Sequence, residues 1–240
     1  MIIIMPDSGE TCLLLNIVYY MNIVQVFEPD MSLSQQRRAA ERAALEHTIL
    51  QAARQLLVEH GVEGTTLRKL AAAIGYAPAT VYSYFADKDA LLYRLVLDDF
   101  SELSAEMAAL FPMADPVARL REMLLTYVRF GLRHPHAYRL MFLQPLPVPS
   151  QQFAERKGNP GRDGYAALRL ALAEAQAVSP EPTPALELAT QTLWAGVHGV
   201  VSLELTLRHD DWVDWQAVEA RIGQMVELLL KGLLLSRSAS

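Results

Sequence analysis

The sequence contains a single cysteine, and it lacks the short motifs that mark common catalytic sites. Cys12 alone cannot form an intrachain disulfide, so the fold does not depend on an oxidising compartment, and we expect a cytoplasmic protein. No nucleophile elbow, P-loop, dinucleotide fingerprint or metal-hydrolase motif occurs. These absences leave enzymatic activity unsupported, and we predict no catalytic residues and no cofactor.

Histidine is also sparse, with six residues in the chain. His134 and His136 are separated by one proline, but neither a third ligand nor a cysteine lies near them in the sequence. A structural zinc site needs four ligands and a catalytic one needs three. We therefore predict no metal site.

The first 30 residues contain no lysine or arginine but four acidic residues. Residues 13–27 form an apolar run that Asn16, Asn22 and Gln25 interrupt, and it is shorter than the roughly 20 residues of a spanning helix. A secretory signal would begin with basic residues. We interpret residues 1–30 as an atypical leader from a start codon assigned upstream of Met31, or of Met21. A membrane-surface or partner-binding segment is the alternative.

A net positive charge is confined to one part of the chain, although the formal net charge of the whole chain is -6. Residues 31–94 carry eight basic and six acidic side chains, whereas residues 95–240 carry thirteen and seventeen. A local basic region favours contact with nucleic acid at that region only. The arginine-bearing segment 31–44 is either an arm that contacts DNA or a solvated leader.

Apolar residues recur at helical spacing over most of the chain, which predicts an all-α fold. The hydrophobic content of 52% is ample for a packed core. We predict a helix-turn-helix domain at residues 31–94 and a helical domain at residues 95–240. The longer helices are expected at residues 45–60, 88–111, 116–133, 163–178, 185–208 and 214–236, with a shorter one at 137–143.

Residues 65–85, TTLRKLAAAIGYAPATVYSYF, predict two short helices joined by a tight turn. Thr65 or Thr66 can cap the first helix, Gly75 can adopt the left-handed conformation that ends it, and Pro78 suits the first turn of the second. Two such helices form a helix-turn-helix, whose second helix enters the DNA major groove.

Residues 61–92 resemble the DNA-binding signature of TetR/AcrR-type transcriptional regulators. The Gly-x-x-x-Thr-Thr opening, the Leu-Ala-x-x-x-Gly core, the Thr-x-Tyr-x-x-Phe recognition helix and the Lys-x-x-Leu-Leu start of the next helix occur in order. Residues 194–199 are similar to a Trp-His-Gly element of one branch of that family. The resemblance implies a homodimer that binds a palindromic operator and represses transcription until a small-molecule effector releases it. The two recognition helices would then lie about 34 Å apart.

DNA contacts are predicted on the second helix and beside it. Its outward face offers Ala79, Thr80 and Ser83 to base edges, because methyl groups meet thymine methyls and hydroxyls bond either base type. The positions that resemble the family's phosphate contacts are Thr66, Arg68, Tyr82, Tyr84 and Lys88. Many relatives have a lysine or arginine where this chain has Pro78, which removes one cation from the expected contact surface.

The C-terminal helices suggest an effector pocket and a dimer interface. His198 lies in an apolar helix, either as a satisfied core histidine or as part of the pocket, and the predicted pocket residues are Tyr127, Phe130, Met141, Trp194 and His198. Ala195, Gly199 and Ser202 recur at helical spacing and permit close backbone approach. The proline-rich segment 144–162 is expected to be a loop, over the pocket mouth or simply on the surface.

Our interpretation is a ligand-responsive DNA-binding repressor, with membrane association not expected. Two alternatives remain from the residues alone. One is a membrane-associated regulator that uses residues 13–27, and the other is a helical ligand-binding protein or enzyme with a vestigial DNA-binding head.

Overall fold

The computed structural model describes residues 32–144, 154–179 and 183–234, so the apolar run at 13–27 lies outside the described residues. The described residues are helical and contain no strand, which confirms the all-α prediction. A π-helical turn, Arg139–Leu143, follows the sixth helix. The helices are α1 (Leu33–Gly64), α2 (Leu67–Ala73), α3 (Pro78–Tyr82), α4 (Lys88–Ala108), α5 (Pro116–Arg133), α6 (Pro135–Tyr138), α7 (Gly164–Ala177), α8 (Leu186–Leu207) and α9 (Val218–Leu234).

The structure divides into two compact units, the first ending at Thr48 and the second beginning at Ile49. In the first unit α1 begins at Leu33, twelve residues before the apolar period that we used to predict its start. A reciprocal capping box explains the early start: the Ser32 amide donates to Gln35 Oε1 at 2.9 Å, and the Gln35 amide donates to Ser32 Oγ at 3.3 Å. An Arg37–Glu41 pair one turn further on adds to this helix.

The second unit begins with the helix-turn-helix. Thr66, not Thr65, caps α2, because its Oγ1 accepts the Lys69 amide at 3.2 Å. Thr65 is fully buried and donates to the Gly61 carbonyl instead. Gly75 has a φ of 74° after α2, and Pro78 opens α3, as the sequence predicts.

The long helix α4 connects the helix-turn-helix to the C-terminal helices. Asp87 caps it by accepting the Ala90 amide at 2.7 Å. Leu91, Leu92 and Leu95 are buried in its first half. Two bonds tie α4 to α1: Lys88 Nζ donates to the Val62 carbonyl at 3.2 Å, and Arg54 Nη1 donates to Asp99 Oδ1 at 2.5 Å.

The C-terminal core is a single apolar cluster contributed by α4 to α9. Helices α8 and α9 approach each other at Gly196, where an added Cβ would lie 2.7 Å from Leu229 Cδ1 and 3.2 Å from Met225 Sδ. Nothing in this protomer lies within 4 Å of the position that a Cβ at Gly199 would occupy, and close backbone approach at Gly199 stays a prediction. No helix among the described residues is long and apolar enough to span a membrane.

Candidate nucleic-acid interface and ligand cavity

Helix α3 presents one buried and one accessible face. Val81 is fully buried and Phe85, just beyond the helix, is 6% exposed, so both anchor α3 to the core of the helix-turn-helix. Ala79 and Ser83 are exposed and Thr80 is half-buried, so these three residues share the side away from that core. Ser83 Oγ donates to the Thr80 carbonyl at 2.7 Å, which orients the serine hydroxyl on this accessible side.

The predicted phosphate-contacting side chains flank α3. Arg68 is exposed, Tyr82 is 48% exposed and Tyr84 is half-buried. The Thr66 hydroxyl oxygen is used in capping α2, although its O–H group can still donate. Lys88 is half-buried and spends one of its three N–H donors on Val62, so two donors remain for a phosphate.

A cavity of about 660 Å³ lies among α4, α5, α7 and α8. This volume falls in the range of roughly 300–1,000 Å³ that small-molecule sites occupy. Its walls are mainly aromatic, leucine and methionine side chains. The apolar residues that line it include Phe100, Leu103, Met107, Met123, Leu124, Tyr127, Met141, Phe142, Leu168, Trp194 and Val197.

Three of the five residues predicted for an effector pocket line this cavity: Tyr127, Met141 and Trp194. Phe130 is not on its wall; it is 1% exposed and its ring lies 4.9 Å from that of His134. His198 is not on the wall either, but it contacts Tyr127 through a hydrogen bond. Whether any of them binds an effector stays a prediction.

His198 belongs to a polar cluster behind the cavity wall. Its Nδ1 lies 2.9 Å from Tyr127 Oη and 2.5 Å from Tyr138 Oη, and the two hydroxyls are 3.0 Å apart. Trp194 Nε1 donates to Tyr127 Oη at 3.1 Å, and His198 Nε2 lies 3.2 Å from Ser202 Oγ. The cluster is complete when the imidazole is neutral, with Nδ1 accepting from tyrosine and Nε2–H donating to serine.

Burial sets the protonation of this cluster. It lowers the pKa of His198 below its usual value, which favours the neutral imidazole. It raises the pKa of Tyr138 to about 12 and that of Tyr127 further, so both remain phenols. Tyr127 and Trp194 therefore place hydrogen-bonded polar atoms on the cavity wall beside its apolar side chains.

Three cationic residues also line the cavity, and the sequence analysis did not single them out: Arg156, Lys157 and Arg162. They come from the segment predicted as a loop, whose described part contains only one helical residue and turns. Arg156 Nη1 donates to the Leu97 carbonyl at 3.2 Å and to Ser101 Oγ at 2.7 Å, which fixes this segment against α4. Three cationic residues within positions 156–162 were the feature of the sequence that could have indicated a charged cavity wall.

No three histidine, cysteine, aspartate or glutamate side chains within residues 32–144, 154–179 and 183–234 come together as metal ligands would.

Two family descriptions match this chain. Residues 49–95 match the bacterial regulatory proteins of the tetR family, and residues 120–229 match a tetracyclin repressor-like C-terminal domain. The first match contains the helix-turn-helix, and the second contains most of α5, all of α6 to α8, most of α9 and most of the cavity wall.

Two curated relatives match this chain over part of their length. The chain is 34% identical over 68 residues to the HTH-type transcriptional regulator Rv1816 of Mycobacterium tuberculosis, which is 28% of this chain and 29% of that protein. It is 34% identical over 73 residues to the HTH-type transcriptional repressor AcnR of Corynebacterium diphtheriae, 29% of this chain and 38% of that protein. The chain thus spans about a third of the length of these relatives.

A solved structure shares the fold over most of the chain. The TetR family transcriptional regulator PfmR from Thermus thermophilus superposes with a TM-score of 0.59 at 24% identity, covering 79% of this chain and 99% of that one. At this identity the likeness shows the fold. The two domain matches and the helix-turn-helix geometry agree, and the chain belongs to the tetR family of bacterial regulatory proteins.

Proposed function

We propose that this protein is a sequence-specific DNA-binding repressor that a small, largely apolar effector releases from its operator. The observation that carries the proposal is the outward face of α3, because Val81 and Phe85 hold the helix while Ala79, Thr80 and Ser83 stay accessible. A short helix held in this way can enter a major groove. AcnR, which is 34% identical to this chain over 73 residues, is a transcriptional repressor.

The functional division follows the sequence prediction, with a DNA-binding domain at residues 31–94 and an effector-binding and dimerisation domain at residues 95–240. The cavity of about 660 Å³ supports the second assignment. Tyr127, Met141 and Trp194 are the predicted pocket residues on its wall, and His198 acts by holding Tyr127. An enzymatic role is not proposed, because the relatives are transcriptional regulators.

The proposed protein is a cytoplasmic homodimer whose interface is formed by α8 and α9. Leu188, Leu203 and Leu228 on these helices are 63%, 42% and 57% exposed in the protomer. Large apolar side chains that are exposed on two neighbouring helices favour a partner surface. A two-fold dimer also matches a palindromic operator, since each half-site then receives one α3.

The proposed path from cavity to DNA runs along α4. This helix lines the cavity with Phe100, Leu103 and Met107, and it is bonded to α1 through Arg54 and Asp99. An effector that fits only one position of α4 would shift the pair of α3 helices away from operator spacing. The free energy that the effector contributes to this shift equals the difference between its binding free energies for the two positions of α4.

The test separates base recognition from phosphate contact. Thr80→Ala removes a hydroxyl at the predicted base edge, so we expect it to change sequence preference. Lys88→Ala removes a cation, so we expect it to weaken binding to all duplexes alike. The slope of log affinity against log salt concentration should fall in magnitude by about 1.

Binding of operator and scrambled duplexes at several salt concentrations measures both effects. Lys157→Ala is the matched control, because it removes the same charge at the cavity, outside α1 to α4. The same loss of preference in the Thr80 and Lys88 variants would contradict the assigned roles.

A further inference from the structure

The cavity combines an apolar interior with three cationic side chains that form no ion pair with a carboxylate among the described residues. Twelve lysine and arginine side chains beyond residue 94 are described, and seven of them, all arginines, pair with carboxylates. Of the five without such a partner in the described ranges, Arg156, Lys157 and Arg162 line the cavity. The unneutralised charge is thus concentrated at one place.

Nearby carboxylates do not offset this charge by direct contact. Asp163 is on the cavity wall, but it caps α7 by accepting the Tyr165 and Ala166 amides at 3.0 and 3.2 Å, and it also accepts the Gly158 amide. Glu155 is exposed and is not a wall residue. Neither forms an ion pair with the three cations within the part of the chain described.

Arg156 is held in place yet keeps donors to spare. Both of its hydrogen bonds come from Nη1, to a backbone carbonyl and a hydroxyl on α4, and both acceptors are uncharged. Nε and Nη2 have no acceptor among the described residues, and they form the side of the guanidinium that can bind a carboxylate or phosphate through two parallel bonds. A positioned guanidinium with two spare donors is suited to recognising an anion.

We propose that the cavity binds an amphipathic anion, with its apolar chain among Phe100, Leu103, Met123 and Leu168 and its carboxylate or phosphate head at Arg156, Lys157 and Arg162. This inference rests on the proposed effector site and adds the chemical class of its ligand. Because Arg156 bonds to α4 at Leu97 and Ser101, on either side of Asp99, a bound head group acts on the segment that contacts Arg54.

Calorimetric titration of the full chain with dodecanoate, dodecyl phosphate and dodecanol, each below its micelle concentration, tests the class directly. The three probes share one apolar chain and differ in the head group. We expect at least one anion to bind about 10-fold or more tightly than the alcohol, since one charge-assisted pair is worth about a factor of ten. The better anion identifies the head group as carboxylate or phosphate.

Variants locate the binding site. Lys157→Gln/Arg162→Gln removes two exposed cations without removing a hydrogen bond seen in the structure, and it should reduce anion affinity about 10-fold while leaving dodecanol unchanged. Arg129→Gln/Lys231→Gln changes net charge equally away from the cavity and should leave both affinities unchanged. Equal binding of anions and alcohol, binding of none of the three, or equal effects of both double variants would overturn the inference.

Operator binding by the same samples without any ligand is measured in parallel. Selective DNA binding together with a failed ligand test rejects only the amphipathic anion, whereas a folded protein without selective DNA binding rejects the proposed function.

Discussion

The ion pair between Arg54 and Asp99 should respond very unequally to loss of its two partners. The Asp99 side chain is 2% exposed, whereas that of Arg54 is 40% exposed. Arg54→Gln leaves a buried carboxylate without its cation, and breaking a buried pair in this way costs about 3–5 kcal/mol. Because Arg54 is partly solvated and the pair is therefore screened, we expect a loss of about 2–3 kcal/mol of unfolding free energy.

Asp99→Asn removes the charge whose burial is unfavourable. Asp99 Oδ2 has no hydrogen-bond partner in the described structure, so an amide nitrogen in its place breaks no existing bond. The amide oxygen can still accept from Arg54, and the substitution removes only the charge assistance of that bond. We expect a change within about 1 kcal/mol, and the double variant should recover most of the loss caused by Arg54→Gln.

The pH dependence gives a second check. Burial raises the pKa of Asp99 above its usual value, against the opposing effect of Arg54. A carboxyl with a raised folded pKa contributes stability that is fully present below its unfolded pKa and lost as pH rises through the folded pKa. Without Arg54 the folded pKa rises further, so the deficit of Arg54→Gln should shrink as pH falls from about 7 towards about 5.

Urea unfolding at fixed protein concentration measures these free energies, because dimerisation would otherwise change the apparent stability. Arg94→Gln is the control, since Arg94 pairs with Asp98 on the exposed side of α4. Equal losses for Arg54→Gln and Asp99→Asn, or a deficit that does not depend on pH, would refute the argument from burial.

Three further changes test other parts of the structure. Leu228→Glu should convert the dimer to a monomer in sedimentation, because Leu228 is exposed on α9. Leu170 is 38% exposed on α7, outside the proposed interface, and Leu170→Glu should remain dimeric. Two dimeric variants would contradict the proposed interface. Gly196→Ala should lower the unfolding free energy by about 1–2 kcal/mol, because its Cβ would overlap Leu229, and an increase would show that α8 and α9 part easily. His198→Gln should flatten the fall in stability below about pH 6.5. Burial lowers the pKa of His198, so in this pH range the unfolded chain binds a proton that the native chain does not. An unchanged pH profile of the unfolding free energy would contradict that reasoning.

Local signals in the sequence were sufficient for the helix-turn-helix. Gly75, Pro78 and the capping threonine act within a few residues of themselves, so their effects do not depend on the rest of the fold. The early start of α1 was missed because the apolar period began later, although Ser32 and Gln35 already had the spacing of a capping box.

The position of the cavity could not be predicted from local sequence patterns, because it depends on contacts between residues that are far apart in the sequence. Tyr127 and Trp194 are 67 residues apart and meet through a hydrogen bond, and their aromatic character was enough to predict a shared pocket. Phe130 has the same character but lies in the core against the ring of His134. Residues three apart share a face of a helix, so spacing from Tyr127 alone could not separate this core residue from a pocket residue. Arg156 could not be placed at the cavity from sequence, since its position depends on acceptors on α4 that lie 59 and 55 residues earlier.

Selection of bound sequences from random duplexes, with the full chain at near-physiological salt, measures whether the protein recognises a specific operator. We expect a palindromic consensus whose half-sites are separated by about one helical turn, bound at least roughly 10³-fold more tightly than random DNA. Loss of all selectivity in protein shown to be folded would contradict the proposed function.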